Sequence, residues 1–352
     1  MEKFSILKTA PRKLLVSAFL SAALTFGGIY SIAAEAKSLV PMGNAVGIRL
    51  DAEGVLVISV PDTCADGATP SPARNAGVKA GDVILRVGKT RITSGDILKD
   101  VIKKLDGAPI ALQVARGGDT VQLTVTPHKT GEGAYSFGLM VRDGVSGIGT
   151  MTFYDPETGA YGALGHSVSD GETGILLPLR GGVITRASVT DVAKGRSGTP
   201  GQLHGAFDFE EELGSITVNS DCGIFGVLVS RDASQRGALP VAEDSELHTG
   251  AATILSNVAG SEVREYQAEI TRVYTGAEAV GRSMLVTVTD PALLERTGGI
   301  VQGMSGSPIL QDGKLVGAVT HVLINDPTRG YGVSIGKMLE KIECNGAENK
   351  AA

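Results

Sequence analysis

The stretch Gly303-Met304-Ser305-Gly306-Ser307-Pro308 has the form of a turn that exposes one serine between two glycines. A serine hydroxyl is a poor nucleophile at neutral pH, so it needs a base to take its proton and backbone N–H groups to hold the oxyanion that forms on the attacked carbonyl. Gly303 lets the backbone turn its N–H toward that oxyanion, and Gly306 leaves room for a substrate. We therefore predict that Ser305 is a peptidase nucleophile and that the N–H groups of Gly303 and Ser305 form its oxyanion hole.

The residues after this turn predict the fold. Residues 309–310 and 315–319 read as two short strands joined at Asp312-Gly313, a dipeptide typical of tight hairpin turns. Short apolar runs separated by turn residues recur from Phe137 onward, and the chain holds 48 glycines and no tryptophan. This spacing predicts a mainly β protein with an antiparallel β-barrel or sandwich, and minor helices at 94–105, 291–296 and 335–342.

Bulk composition bounds the function. The 352 residues are 42% hydrophobic, enough for two or three compact units, and the formal net charge is only -6. With no basic stripe interleaved with aromatic residues, this charge argues against nucleic-acid binding. Cys64, Cys222 and Cys344 lack metal-type spacing, so we predict neither a metal site nor an organic cofactor. A single disulfide and three free thiols both remain open.

The N-terminus carries a membrane-targeting pattern. Four cations, ending at Lys13, precede an uncharged apolar run over 14–34, and Ala34-Glu35-Ala36 resembles a signal-peptidase site. Residues 1–36 are therefore predicted to be a signal peptide or a membrane anchor. Either way, the remaining chain lies on the far side of the cytoplasmic membrane.

Residues 38–127 read as a small α/β module. Its segment 73–84, with small residues before Gly81-Asp82 and an apolar strand, resembles the matching segment of PDZ domains. The resemblance implies that an extended peptide adds to the sheet edge, with its carboxylate held by a loop at Gly47, Ile48, Arg49 and Leu50. A small domain packed on its neighbour without a ligand is the alternative. Residues 128–136 read as a linker, and 137–345 as the peptidase domain.

The base for Ser305 can be sought among five histidines. His166 follows a predicted strand in a glycine-eased turn, where an imidazole can be exposed yet held, and His321 is the reserve candidate. The best candidate for orienting the imidazole is Asp290, at a strand end shortly before the nucleophile. Asp before Pro is also a helix-start signal. Asp170, Asp208 and Asp221 stay as alternatives.

Together, the N-terminal segment, the PDZ-like module, His166 and the Ser305 turn resemble the stage IV sporulation protein B (SpoIVB-type) peptidase family. The resemblance implies a chymotrypsin-like β-barrel and a triad of His166, Asp290 and Ser305. Met304 stands where many chymotrypsin-like enzymes carry an aspartate that pairs with a newly made N-terminus, so that route of activation is not expected here.

The resemblance also implies a regulatory function. Such peptidases are exported into the space between forespore and mother cell, cleave themselves near the N-terminus, and cleave membrane-bound regulators of an intramembrane metalloprotease. That cleavage triggers processing of a late sigma-factor precursor. The alternatives are a catalytically silent PDZ adaptor and a general quality-control peptidase of the cell envelope.

Overall fold

The structure, a computed structural model, describes residues 37–171, 174–229, 236–276 and 281–348. The described residues from Ser38 onward form one compact unit. The predicted signal peptide or anchor at 1–36 lies outside the described residues. Within the ranges given above, none of the helices combines the length and apolar character needed to cross a membrane.

The described chain is mainly β. Its strands are β1 Ser38–Pro41, β2 Ala45–Ser59, β3 Val83–Val87, β4 Thr90–Arg91, β5 Ile110–Arg116, β6 Asp119–Val125, β7 His128–Lys129, β8 Tyr135–Ser136, β9 Met140–Tyr154, β10 Ala160–Ala163, β11 Leu179–Ala193, β12 Gln202–Ser220, β13 Gly223–Leu228, β14 Leu239–Pro240, β15 Gly250–Ser256, β16 Arg264–Val273, β17 Met284–Val288, β18 Pro308–Gln311, β19 Lys314–Leu323 and β20 Asp326–Ser334. The α-helices are α1 Pro72–Asn75, α2 Gly95–Lys103, α3 Pro291–Thr297 and α4 Ile335–Glu348, with a 3-10 turn at Asp244–Glu246. Helices α2, α3 and α4 lie where the sequence predicts them.

A first barrel is closed by β2. The sheet runs in the order β9, β10, β13, β12, β11 and β2, and β2 pairs again with β9 to complete the ring. Its interior is apolar and includes Leu50, Met151, Tyr161 and Ile184. Because β2 is paired on both edges within this ring, the barrel cannot close without it.

The same strand β2 also belongs to the PDZ-like module. Its first half pairs with β9 and β11, whereas Val55 and Leu56 pair with Ile84 and Val83 of β3. The sheet then continues through β5 to β6. The PDZ-like module is thus inserted between two adjacent barrel strands. The predicted boundary at residue 38 does not coincide with this division, because β1 and the start of β2 pair with strands of the first barrel.

The other predicted boundary is also shifted. Residues 128–136 form a small hairpin of β7 and β8 rather than an irregular linker. Phe137 is buried in the core of the PDZ-like module, and Leu139 and Val141 pack against that core. Residues 137–141, predicted to open the peptidase domain, therefore complete the PDZ-like module before β9 enters the barrel.

A second barrel carries the serine turn. Strands β15, β16, β17, β20, β19 and β18 close around a core that includes Ile254, Val286 and Val319. The hairpin predicted after Ser305 is present: β18 and β19 meet at Asp312-Gly313, where both residues have positive φ, +51° and +75°. This is the backbone of a type I′ turn.

Cys64 and Cys222 are buried free thiols, so no disulfide joins these two. Burial raises the pKa of the Cys222 thiol to about 11, and the nearby Asp221 charge acts in the same direction. Both thiols are therefore protonated and unreactive at neutral pH. The side chain of Cys344 lies outside what the structure describes.

The sharing of β2 generates a prediction about folding. A shortened chain that begins at Phe137 lacks β1 and β2, so β9 and β11 each keep only one paired edge and the first barrel cannot close. We expect no cooperative thermal unfolding by circular dichroism, whereas a chain that begins at Ser38 unfolds cooperatively. Cooperative unfolding of the shorter chain at a similar temperature would contradict the shared-strand architecture.

Candidate active site

The turn that carries Ser305 is shaped by its two glycines. Gly303 has φ +99° and Gly306 has φ +96°, a region that L side chains rarely adopt. A Cβ on Gly306 would lie 2.0 Å from the Thr150 carbonyl oxygen and 2.5 Å from the Leu164 nitrogen. Gly306 thus allows the second barrel to approach the first, where β9 and β10 lie. The role predicted for it, room for a substrate, becomes room for the neighbouring barrel.

Strand β9 supports this turn from the first barrel. The Thr150 N–H donates to the Ser305 carbonyl (2.9 Å), and its hydroxyl donates to the Gly303 carbonyl (2.7 Å). Met304 is fully buried in the core of the second barrel. The turn is therefore held by hydrogen bonds from Thr150 of the first barrel, and in the second barrel by packing and by the Gly306 N–H, which donates to the Val319 carbonyl.

The Ser305 hydroxyl itself donates to the Thr320 carbonyl at 2.6 Å. A carbonyl cannot accept the proton outright, so in this geometry the serine is held but not activated. Within the described chain, the N–H groups of Gly303 and Ser305 donate to no protein acceptor. Their role as an oxyanion hole stays a prediction.

His166 lines the same cavity as Ser305. It follows β10 through Leu164 and Gly165, whose φ values of +70° and +71° reverse the chain. The Nδ1 atom lies 2.8 Å from the Ser167 carbonyl oxygen, which can only accept, so Nδ1 carries the proton. Nε2 is then the unprotonated nitrogen that a general base requires. The His321 ring packs against His166, with ring centroids 4.6 Å apart and planes tilted by 36°.

Burial tunes both imidazoles toward the neutral form. It lowers the pKa of His166 below the ordinary 6.5, the bond to Ser167 opposes that change, and the charge on His321 adds to it. Burial also lowers the pKa of His321. A neutral His166 at pH 7 is the form that can accept the proton of Ser305.

These residues share one cavity of about 690 Å³. Ser305, His166, His321 and Gly303 line it, together with residues 145–148 of β9. The cleft between the two barrels thus holds a hydroxyl nucleophile, a base with the required tautomer and two available N–H donors. These are the kinds of group that acyl transfer to a serine requires, and their roles in this cleft stay predictions.

The structure does not bring Asp290 to this cleft. Its Oδ1 accepts from the N–H groups of Ala292 and Leu293, and its Oδ2 accepts from the Gln267 N–H, so the carboxylate caps α3. Asp290 as orienting group stays a prediction that no contact supports. Asp290 lies where the alternative interpretation of Asp290-Pro291, a helix-start signal, places it.

None of the alternative carboxylates orients His166 either, within the described residues. Asp208 accepts from the Glu210 N–H, Asp221 pairs with Lys341, and Asp170 pairs with Arg142. Of the three, Asp170 lines the cavity. The group that meets Nδ1 is instead the Ser167 carbonyl, and a backbone oxygen has no sequence signature.

The peptide-binding loop predicted at Gly47, Ile48, Arg49 and Leu50 is wrong. These residues lie in the middle of β2, paired with residues 145–148 of β9 on one edge and 182–185 of β11 on the other. A strand with both edges paired has no free N–H groups for a carboxylate and no edge for a peptide. The strand that lies beside α2 is β9. The two are joined by a hydrogen bond of 2.5 Å from the Gly95 N–H to Asp143 Oδ1.

Comparison with known proteins finds a peptidase family and a PDZ domain. A family model described as SpoIVB peptidase S55 matches residues 133–339, and a PDZ domain model matches 43–126. The chain is 35% identical over 74 residues to serine protease HTRA1 of Xenopus tropicalis, covering 21% of this chain and 14% of that protein. It is 35% identical over 80 residues to a protein of Chlamydia trachomatis named "Probable periplasmic serine endoprotease DegP-like", covering 23% and 14%. Each of these two matches thus spans about a seventh of the relative's length.

A solved structure of the Rv3671c protease from M. tuberculosis, active form, aligns over 97% of this chain and 92% of that one, with 13% identity and a TM-score of 0.33. The fold and the matching models define a serine endopeptidase that contains a PDZ domain. The peptidase family model matches more than half of this chain, so the chain belongs to the SpoIVB peptidase S55 family.

The position of Asp290 generates a stability prediction. Asp290→Ala removes the cap of α3, and we expect it to lower the free energy of unfolding by about 0.5–2 kcal/mol. Asp290→Asn keeps an oxygen acceptor for that cap, so it is the matched control and should retain both stability and turnover. A loss of turnover of about 10⁴-fold in Asp290→Asn, with unchanged thermal unfolding, would instead establish the orienting role.

The lowered pKa of His166 generates a prediction about pH. Activity needs the neutral imidazole, which is lost as pH falls through the folded pKa. Since that pKa lies below 6.5, we expect the acid limb of kcat/KM to have its midpoint below 6.5. A midpoint at or above pH 7 would mean that the base is solvated or carries a negative partner during turnover.

Proposed function

We propose that this chain is an exported regulatory endopeptidase that cuts extended segments of proteins at a membrane surface, including its own N-terminal region. The observation that carries the proposal is the common cavity of Ser305, His166 and the Gly303 turn in a chain whose PDZ module is inserted into the first barrel, which carries His166. A PDZ module built into one of the two barrels that form the cleft favours selective cleavage over general degradation.

The chemistry follows from the contacts. Ser305 rotates its hydroxyl from the Thr320 carbonyl to Nε2 of His166, which takes the proton as the oxygen attacks the substrate carbonyl. The N–H groups of Gly303 and Ser305 hold the resulting oxyanion. His166 then gives the proton to the leaving amine. A water molecule, deprotonated by His166, then attacks the acyl carbon; as the bond to Ser305 breaks, His166 returns that proton to the Ser305 oxygen and the new carboxyl terminus leaves.

The biological setting is proposed from family membership. A member of this family acting in sporulation would work between forespore and mother cell, and its targets would be membrane-bound regulators of an intramembrane metalloprotease. Cleavage of such a regulator would lead to processing of a late sigma-factor precursor. The apolar segment at 14–34 behind four cations supports export of the peptidase, as a released or an anchored form.

The experiment compares the wild-type chain with Ser305→Ala in a spore-forming host. We expect self-cleavage and labelling by a fluorophosphonate probe in the wild type, and neither in Ser305→Ala. Ser307→Ala, two residues on in the same turn, is the control that should still be labelled. Cleavage that continues in Ser305→Ala would exclude Ser305 as the nucleophile.

The range of targets separates the regulatory function from quality control. Comparison of cell-envelope peptides from wild-type and Ser305→Ala cells should show a few Ser305-dependent cleavages confined to membrane-associated regulators. Cleavage spread over many unfolded envelope proteins would favour a general quality-control peptidase.

A further inference from the structure

Strand β9 contacts both the PDZ module and the nucleophile turn. At its start, Arg142 pairs with Leu56 in the PDZ half of β2, and Val141 packs on the PDZ core. Eight residues after Arg142, Thr150 makes the two hydrogen bonds that support the Ser305 turn. One continuous strand therefore connects the PDZ core with the catalytic cleft.

Arg142 also reaches the segment that carries the base. Side chains alternate along a strand, so Arg142 points away from the PDZ core that Val141 faces. Its Nη1 lies 2.7 Å from Oδ2 of Asp170, four residues beyond His166. The Asp170 carboxylate is buried and the guanidinium is 39% exposed. A buried carboxylate that loses its cation is strongly disfavoured, so this contact holds the segment in place.

Asp170 organises the turn that follows His166. Its N–H donates to the Ile175 carbonyl, and its own carbonyl accepts from the Gly174 N–H. The same turn touches the PDZ module a second time, because a Cβ on Gly81 would lie 2.0 Å from Cδ1 of Ile175. The turn beyond the base is thus attached to the PDZ module by an ion pair and by an apolar contact.

We propose that Arg142 and Asp170 are positioning residues for His166. Their ion pair fixes the segment after the base to the strand that completes the PDZ sheet, so movement of that strand on its PDZ side changes the placement of the imidazole. This inference rests on the proposed roles of Ser305 and His166. It identifies the physical link through which the PDZ module controls the peptidase.

The first test uses Arg142→Gln, with the full-length Ser305→Ala chain as substrate in trans and a fluorophosphonate as probe of Ser305. A misplaced base slows proton transfer without weakening substrate binding. We expect kcat and the labelling rate to fall about 10- to 100-fold, with KM changed less than about twofold. Arg142→Lys keeps the charge and should recover part of the loss. Unchanged kcat in Arg142→Gln, or an increase, overturns the proposal.

Two controls separate positioning from stability. Arg186→Gln removes an arginine from β11 of the same barrel, where it pairs with exposed Glu211 at 3.0 Å, and should leave kcat unchanged. Each variant is assayed well below its own melting temperature. A fall in kcat that tracks the melting temperature and also appears in Arg186→Gln would assign Arg142 a purely structural role and overturn the proposal.

The link to the PDZ side has its own test. Leu139→Ala loosens the packing of the residue just before β9 on the PDZ core. We expect it to lower kcat in the wild-type background and to have little further effect in Arg142→Gln, because the ion pair carries the coupling. Additive effects overturn the coupling. A wild-type chain with neither cleavage of the Ser305→Ala chain nor probe labelling contradicts the proposed function itself, which distinguishes the two failures.

Discussion

The structure depends on the pairing of β2 with strands on both of its edges. Between Ala45 and Asp51 this strand lies between β9 and β11 and closes the first barrel, and a few residues later it joins β3 in the PDZ sheet. The chain leaves the barrel after β2, forms the PDZ module and returns as β9. The two modules therefore share two neighbouring strands instead of meeting through a linker. A slip of a shared strand by one residue would turn its side chains to the opposite face, so both modules are held in one register.

The parts that sequence could predict are those specified by a few adjacent residues. The Ser305 turn needs glycines at two positive-φ positions, the hairpin after it needs Asp312-Gly313, and the turn before His166 needs Gly165. Each signal lies within a short segment, so the mainly β fold, the hairpin and the meeting of Ser305 with His166 in one cleft could be inferred. The amphipathic pattern likewise located α2.

The remaining features depend on partners far apart in sequence. Residues 45–51 have the apolar pattern of any buried strand, and nothing in them indicates pairing with strands about 100 and 135 residues later. The PDZ resemblance therefore placed a ligand loop where both edges are paired. Asp290-Pro291 presents a different difficulty, because the same dipeptide is compatible with a triad carboxylate and with a helix cap. Only the three N–H groups around its oxygens separate these roles.

The geometry of the cleft explains why control through β9 is physically reasonable. Ser305 is held by the Thr320 carbonyl and His166 by the Ser167 carbonyl, so nucleophile and base are each fixed by backbone bonds and not by each other. Small displacements of their segments then decide whether the two groups meet. Position 304 holds a buried methionine, so the turn has no acidic side chain there that could pair with a newly made N-terminus. Strand β9 contacts the Ser305 turn through Thr150 and the segment after His166 through Arg142. A strand that also belongs to the PDZ sheet is therefore the element able to move both catalytic groups together.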